Sequence, residues 1–284
     1  MTEIVCPSGL ALQIRHLRVR LQRLLTDKQL ARRGEQFTRL LAECTEAVLD
    51  PGPYELSDKG ALDWADVLEG DRLFALIQIR VATHGPAYEF DIPCPTPSCD
   101  PIEWELDLND LLVQPLSEDS RTKFVAGNRF ETFLPHAERA AWFKLLTGKD
   151  ERARTRLARQ LGELGAAIRS RVVEIADVES NRLNDFVDDL SFADADHLLD
   201  VFDQIDCGVE TTIDVQCPEC FAKVEVELPF DRVFFLPGGQ RKARRKSRSS
   251  NWSRSKGGAK GSSTSSGAST AGAARTSPTT RCWT

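Results

Sequence analysis

Four cysteines in two pairs are the residues of this sequence whose types and spacing could hold a metal ion. Four residues separate Cys94 from Cys99, and two separate Cys217 from Cys220. Both spacings fall in the range of zinc-binding turns, and four thiolates complete a tetrahedral zinc site. Because all four positions would then be filled by protein, no position remains for water or substrate. The pattern predicts a structural zinc ion bound by Cys94, Cys99, Cys217 and Cys220.

Each cysteine pair lies between two segments in which apolar and polar residues alternate. These segments are residues 88–92 and 102–108 around the first pair, and 212–216 and 223–228 around the second. Alternation of this kind is typical of half-buried β-strands, so each pair is predicted to sit at the turn of a β-hairpin. A shared metal ion requires the two hairpins to meet, although 117 residues separate Cys99 from Cys217.

Two other interpretations of these cysteines are open. They could be thiols without a metal, in a site that this sequence has lost. Alternatively, Cys217 and Cys220 could form a redox pair, which would need one exposed cysteine of low pKa. Four further cysteines show no such pairing: Cys6, Cys44, Cys207 and Cys282. Cys44 lies on an apolar helical stripe and is predicted to be in the core, whereas Cys207 is close enough to the second hairpin to be a substitute ligand.

The sequence contains no recognisable catalytic motif. His16, His84, His136 and His197 form no metal or general-base motif, and surface or packing roles are predicted for them. There is no Walker loop, dinucleotide fingerprint or nucleophile elbow. Among the clustered acidic residues, Asp194 or Asp196 is predicted to be a helix N-cap or a first-turn acid. These observations favour a protein that is not an enzyme.

Charge is distributed unevenly along the 284 residues, whose net charge is −6. Residues 238–284 carry 11 Lys and Arg and no acidic residue, whereas residues 1–237 carry 26 basic and 43 acidic residues. Residues 238–284 are also dominated by Ser, Gly, Ala and Thr, which cannot bury enough apolar surface to offset the entropy of ordering. The sequence predicts a folded domain over 1–237 and a disordered basic C-terminal segment over 238–284.

The basic residues of the C-terminal segment raise an alternative function, that of a zinc-ribbon nucleic-acid-binding protein. The run consists of Arg241, Lys242, Arg244, Arg245, Lys246 and Arg248. It could bind phosphates, with Trp252 available to stack on bases. It could equally contact the acidic domain or have no selected role. The predicted hairpins oppose phosphate binding, because they carry Glu89, Asp91, Glu103, Glu105, Asp107, Glu225 and Glu227.

No segment is predicted to enter a membrane, because no run of about 18 apolar residues occurs. The first residues lack the basic and apolar regions of a signal peptide. The expected environment is therefore a reducing cytoplasm, where paired cysteines bind metal more often than they form disulfides.

Apolar spacing predicts an α+β fold, a helical body to which the two hairpins belong. Strands are predicted at 10–14, 130–134 and 141–146, the last two paired. Helices are predicted from the spacing at 19–25, 37–48, 71–81, 150–175, 183–190 and 193–205. Residues 50–53, Asp-Pro-Gly-Pro, are expected to end the second of these helices.

A series of short segments along residues 1–237 has a recognisable order and spacing. The segments are residues 7–9, 48–54, 70–80, 83–90, 127–132, 145–148, 206–209, 217–220 and 228–237. Together they resemble the T4-type phage baseplate protein family, the hub-assembly proteins of contractile tails. The C-terminal segment has no counterpart in this resemblance.

The resemblance implies a non-enzymatic component of a contractile phage tail or of a phage-tail-like contractile injection system. Its expected partners are baseplate hub, spike or tail-tube proteins, and a homo-oligomer is also open. Such a protein would be cytoplasmic during assembly and either leave or stay in the finished particle. Trp104 and Trp142 are the aromatic residues we would test first at an interface, although the core is the favoured place for each.

Overall fold

The computed structural model of this protein describes residues 1–230 and 232–236, and it confirms the predicted α+β class. The helices are α1 (Gln22–Thr26), α2 (Lys28–Arg33), α3 (Gln36–Cys44), α4 (Glu69–His84), α5 (Glu118–Val125), α6 (Glu151–Arg171), α7 (Leu183–Asp188), α8 (Phe192–Ile205) and α9 (Arg232–Phe235). The strands are β1 (Thr2–Val5), β2 (Ala11–Ile14), β3 (Thr45–Asp50), β4 (Ala87–Ile92), β5 (Ile102–Asp107), β6 (Val113–Gln114), β7 (Phe130–Leu134), β8 (Arg139–Phe143), β9 (Val172–Ile175), β10 (Gly208–Val209), β11 (Thr212–Gln216) and β12 (Lys223–Glu227). The C-terminal segment, with its basic run, Trp252 and Cys282, lies outside the described residues.

The first sheet has the order β1–β2–β3, and its middle strand confirms the strand predicted at 10–14. The helix predicted over 37–48 is wrong in its last part, because α3 ends at Cys44 and β3 begins at Thr45. β3 pairs antiparallel with β2, and Val48 lies opposite Leu12. The apolar residues of this segment are three and four apart, which is also the spacing of a helix. The segment forms a strand because its backbone makes hydrogen bonds to the open edge of β2.

The second sheet has the order β7–β8–β9 and confirms that residues 130–134 pair with the strand that follows. That strand was predicted at 141–146, but it begins at Arg139 and ends at Phe143. The helix predicted over 150–175 is wrong at its end, because α6 stops at Arg171 and residues 172–175 form β9 alongside β8. α6 also kinks at Gly162, whose φ is +72°. Helix α5 was not predicted; the Ser117 side chain caps it by accepting a hydrogen bond from the backbone N–H of Ser120.

Helix α4 is the central element of the main core and confirms the buried helix predicted over 71–81. Acidic Glu69 and Asp71 in its first turn complement the helix dipole. The helix ends before Gly85, whose φ of +82° favours glycine. Its buried residues include apolar and charged side chains: Asp71, Arg72, Ala75, Leu76, Ile77, Ile79 and Arg80. No helix among the described residues is both long enough and apolar enough to cross a lipid bilayer.

Gly70 allows α4 to pack directly against strand β10. A Cβ atom at this position would lie 1.8 Å from the carbonyl oxygen of Cys207 and 2.6 Å from its carbonyl carbon. Because both atoms belong to backbone, the strand itself would have to move. We expect Gly70→Ala to lower the free energy of unfolding by about 2–3 kcal/mol. Urea unfolding measures this loss, and an unchanged midpoint would contradict the close packing of α4 on β10.

Candidate metal centre

The two predicted cysteine hairpins exist and face each other. The first hairpin (residues 87–107) pairs β4 with β5, and the second hairpin (residues 212–227) pairs β11 with β12. Their apolar faces form a small core of their own, whose buried residues are Ile92, Ile102, Val215 and Cys217. The partly buried residues packed around it are Phe90, Cys94, Cys99, Trp104, Ile213, Cys220, Val224 and Val226. The alternation seen in the sequence therefore separates a shared apolar interior from polar outer faces.

At their bases, the hairpins are fixed to the body of the protein. The Tyr88 hydroxyl of the first hairpin donates a hydrogen bond to the carbonyl oxygen of Pro229, just beyond the second, at 3.1 Å. Nη2 of Arg80 in α4 donates to the carbonyl oxygen of Ala87 at 3.0 Å. The same guanidinium lies over the rings of Tyr88 and Phe234, 5.6 and 5.7 Å from their centroids. The Tyr88 bond thus joins the two hairpins to each other, and the Arg80 contacts join the first hairpin to α4.

At their tips, the structure brings the four predicted cysteines together. All four Sγ atoms lie within 4.8 Å of one another, and Cys94 Sγ is 3.6 Å from Cys220 Sγ. Four sulfurs around one zinc ion at 2.3 Å would be about 3.8 Å apart. None of the four forms a disulfide. The cluster can therefore hold a soft, four-coordinate metal ion.

The turns of the two hairpins shape the environment of the cysteine sulfurs. The Thr96 hydroxyl of the first hairpin donates a hydrogen bond to Cys220 Sγ of the second hairpin at 3.3 Å. This bond, with one from the backbone N–H of Ala222, lowers the pKa of Cys220 to about 6. A lowered thiol pKa is common to metal ligands and redox cysteines, so it leaves both interpretations open. The sequence analysis did not single out Thr96.

The remaining described cysteines lie in the main core, away from the cluster. The prediction of Cys44 as a core residue is confirmed, and burial raises its pKa to about 11. Burial likewise raises the pKa of the Cys6 and Cys207 thiols, with the Asp71 charge as a further cause. Cys207 was considered as a substitute ligand, but it is buried among residues of the main core.

Of the two roles predicted for Asp194 or Asp196, that of N-cap belongs to Ser191, whose Oγ accepts a hydrogen bond from the backbone N–H of Asp194. Asp194 is the first-turn acid of α8, as predicted. Its buried carboxylate accepts hydrogen bonds from the backbone N–H groups of His136 and Ala137, at 2.9 and 3.0 Å. Asp194 therefore fixes α8 to the turn between β7 and β8.

Surface or packing roles were predicted for the histidines, and two of them contact neighbouring elements. His197 Nε2 lies 3.0 Å from Thr132 Oγ1, which joins α8 to β7. His84 is exposed, and its Nε2 lies 3.1 Å from the carbonyl oxygen of Phe235, which joins the end of α4 to α9. Both positions agree with the predicted roles.

A buried polar cluster joins three of the short segments that carry the family resemblance. It consists of Ser8, Tyr54 and Asp71. One carboxylate oxygen of Asp71 accepts from the backbone N–H of Ser8 at 2.9 Å; the other accepts from the Ser8 hydroxyl and, at 2.6 Å, from the Tyr54 hydroxyl. Burial raises the pKa of Asp71, while the bonds from Ser8 and Tyr54 oppose the rise. Sequence reasoning missed this cluster, because Ser8 and Asp71 are 63 positions apart in the chain.

Another pair of these segments is joined through Asn128. Its amide nitrogen donates to the carbonyl oxygen of Leu145 at 2.9 Å, and its carbonyl oxygen accepts from the backbone N–H of Leu145 at 2.8 Å. The side chain thus mimics a strand partner. Asn128 also has a φ of +52°, which asparagine tolerates better than most residues.

The two tryptophans chosen as interface candidates are both partly buried. Trp104 packs in the hairpin core, opposite Phe90 in the strand register. Trp142 lies on β8 opposite Glu131, and the guanidinium of Arg129 lies 5.1 Å from its ring centroid. Trp104 therefore lies in a core, as favoured from the sequence, whereas Trp142 lies nearer the surface.

Comparison with known protein families shows which family this chain is similar to. A family model described as "T4 bacteriophage base plate protein" matches residues 3–235. Neither the curated proteins nor the solved structures contain a match. The matched range includes both cysteine hairpins and the buried polar cluster.

Proposed function

The chain belongs to the T4 bacteriophage base plate protein family, and from this premise we propose that it is a non-enzymatic hub-assembly or structural component of a contractile tail. The tail would be that of a phage or of a phage-tail-like contractile injection system. The observation that carries the proposal is the extent of the family match, from residue 3 to residue 235. Family membership by itself supports a structural role in the phage baseplate.

The positions of the motif residues support a role in contact rather than in chemistry. Ser8, Tyr54 and Asp71 bond to one another in the interior, and Asn128 bonds to backbone. Groups that are buried and satisfied in this way stabilise a fold and are not available to a substrate. The function proposed here therefore lies in the outer surface that this scaffold holds in place.

Within this proposal, the cysteine cluster binds a structural zinc ion. The donor set is four sulfurs on two turns, which is the preferred environment of structural zinc. Its role is to hold together two hairpins whose common core has only four buried residues. A redox role for Cys217 and Cys220 would instead require these thiols to be free of metal in the purified protein.

The proposed partners are hub, spike or tail-tube proteins, met during assembly in the cytoplasm of the producing cell. We expect that deleting the gene abolishes complete baseplates, because a missing hub contact stops the assembly steps that follow it. Electron microscopy of particles from the deletion strain measures this outcome. Normal particles from that strain would contradict the proposed function.

A complementing chain that ends at residue 237 tests the nucleic-acid alternative in the same strain. Because the hairpins expose many carboxylates, the alternative assigns phosphate binding to the basic run 241–248. We expect the shortened chain to restore baseplates as well as the full chain does. If nucleic acid copurifies with the full chain and is lost together with function on truncation, the alternative is correct.

A further inference from the structure

The exposed tip of the second hairpin carries a feature that the zinc site alone does not explain, the side chain of Phe221. We propose that Phe221 is a docking residue that inserts into an apolar pocket, rimmed by Lys and Arg, on another protein of the same assembly. This inference rests on the proposed function and names the chemistry of one partner surface.

Phe221 has an unusual backbone conformation for its residue type. It follows Cys220 directly, its φ is +60°, and its side chain is 70 % exposed. The left-handed region is costly for any residue with a Cβ, and glycine or asparagine usually occupies it. Within the chain, an exposed phenylalanine gains little burial to offset this cost. A strained backbone position that carries an exposed aromatic side chain is a reason to look for a function in binding.

Hydrogen bonds and prolines fix the backbone that presents Phe221. Its backbone N–H donates to the carbonyl oxygen of Cys217 at 2.9 Å, and its carbonyl oxygen accepts from Gln216 Nε2 at 3.1 Å. The N–H of Cys217 in turn donates to Ala222. Exposed prolines stiffen the two neighbouring turns: Pro93, Pro95, Pro97 and Pro218. A side chain presented on a rigid turn loses little entropy on binding, and rigid aromatic anchors dominate many interfaces.

The charge around the tip defines the partner. The two hairpins expose ten acidic residues and one basic residue, Lys223. The acidic residues are Glu89, Asp91, Asp100, Glu103, Glu105, Asp107, Asp214, Glu219, Glu225 and Glu227. In the strand register Asp91 lies opposite Glu103 and Asp214 opposite Glu225, and like charges placed directly opposite destabilise a hairpin. A basic rim on the partner would relieve this repulsion, so the complementary surface is positively charged.

The first test uses the full chain with Phe221→Asn, which removes the ring and keeps a residue that tolerates a positive φ. We expect metal content to be unchanged and the thermal midpoint to stay the same or rise by up to about 3 °C. In the deletion strain, the yield of complete particles supported by this variant should fall at least about tenfold relative to the wild-type chain, as for the loss of an interface hot spot. The control is Phe192→Ala, because Phe192 is 78 % exposed at the start of α8 and should leave that yield unchanged. A normal particle yield with Phe221→Asn, or a lowered midpoint, would overturn the proposal.

The second test identifies what covers the side chain. A photo-crosslinking amino acid at position 221 of the full chain should link to one site on another tail protein, flanked by Lys and Arg. A link to residues 241–248 of this chain, or to a second copy, would overturn the proposed partner. If the deletion strain lacks baseplates while Phe221→Asn assembles normally, only the docking proposal fails. If the deletion strain assembles normally, the proposed function fails.

Discussion

Replacing Cys217 by serine should release the metal ion and unfold the cysteine-bearing ends of both hairpins while the main core stays folded. Cys217 is buried, and its sulfur is one of four within 4.8 Å of one another. Loss of one thiolate leaves three ligands, and the binding free energy of a structural zinc ion in a small domain is about 10–16 kcal/mol. The hairpin core, with four buried residues, cannot replace that contribution.

The measurements are metal analysis and amide hydrogen exchange on the full chain. The wild-type protein should contain about one zinc ion per chain, and Cys217→Ser close to none. Protection should be lost in the cysteine-bearing ends of the hairpins, residues 92–102 and 215–224, and kept in α4, because the buried residues at these ends form an apolar cluster distinct from the main core. Chelation of the wild-type protein should give the same pattern.

The matched control is Cys207→Ser, which changes a buried cysteine of the main core. We expect it to keep the metal, even though placing a hydroxyl in an apolar site costs stability. Wild-type protein without metal, or full metal content in Cys217→Ser, would contradict the zinc site. A disulfide between Cys217 and Cys220 in freshly purified metal-free protein would favour the redox interpretation instead.

Replacing Asp71 by alanine should destabilise the whole main core by about 3–5 kcal/mol. Its carboxylate accepts hydrogen bonds from the backbone N–H and hydroxyl of Ser8 and from the hydroxyl of Tyr54. All three donors would lose their acceptor in a site away from water. Each unsatisfied donor costs about 1–3 kcal/mol of folding free energy, and rotation of the two hydroxyls to other acceptors recovers part of that cost. Asp71→Asn keeps an oxygen acceptor, so we expect a smaller loss of about 1–2 kcal/mol.

Denaturant unfolding of the full chain measures both variants, with Asp119→Ala as the control. Asp119 forms an exposed pair with Lys123 one turn later in α5, and such pairs contribute about 0.3–0.5 kcal/mol. The free energy of unfolding of Asp71→Ala should therefore be several kcal/mol lower than that of the control. A loss as small as that of Asp119→Ala would mean that water reaches the cluster and satisfies its donors.

Local chemistry explains why the hairpins could be predicted. A strand with one buried face alternates apolar and polar residues, and a cysteine pair with short spacing marks the turn between two such strands. The same reasoning found α4, because apolar residues on most faces of a helix indicate burial on most faces. In each case the signal lies within about 20 residues of sequence, which is the range over which periodicity is informative.

The errors came from segments whose structure is set by distant partners. Residues 45–50 and 172–175 follow helices and continue their apolar spacing, but each becomes the outer strand of a sheet. These segments form strands because the open edges of β2 and β8 provide hydrogen-bond partners for their backbones. The periodicity of a segment carries no information about such distant partners. Short α5 was missed because its boundary depends on a cap at Ser117 rather than on an apolar stripe.

By itself, the sequence determined the fold class, the two hairpins, the four cysteines that could share a metal and the family to which the chain is similar. Only the tertiary structure decided that those cysteines meet, that Ser8, Tyr54 and Asp71 form one buried cluster, and that Phe221 stays outside in a left-handed conformation. The physical reason is the distance along the chain over which each property is set. Spacing and alternation are properties of a short segment, whereas convergence of distant side chains depends on how the segments pack against one another.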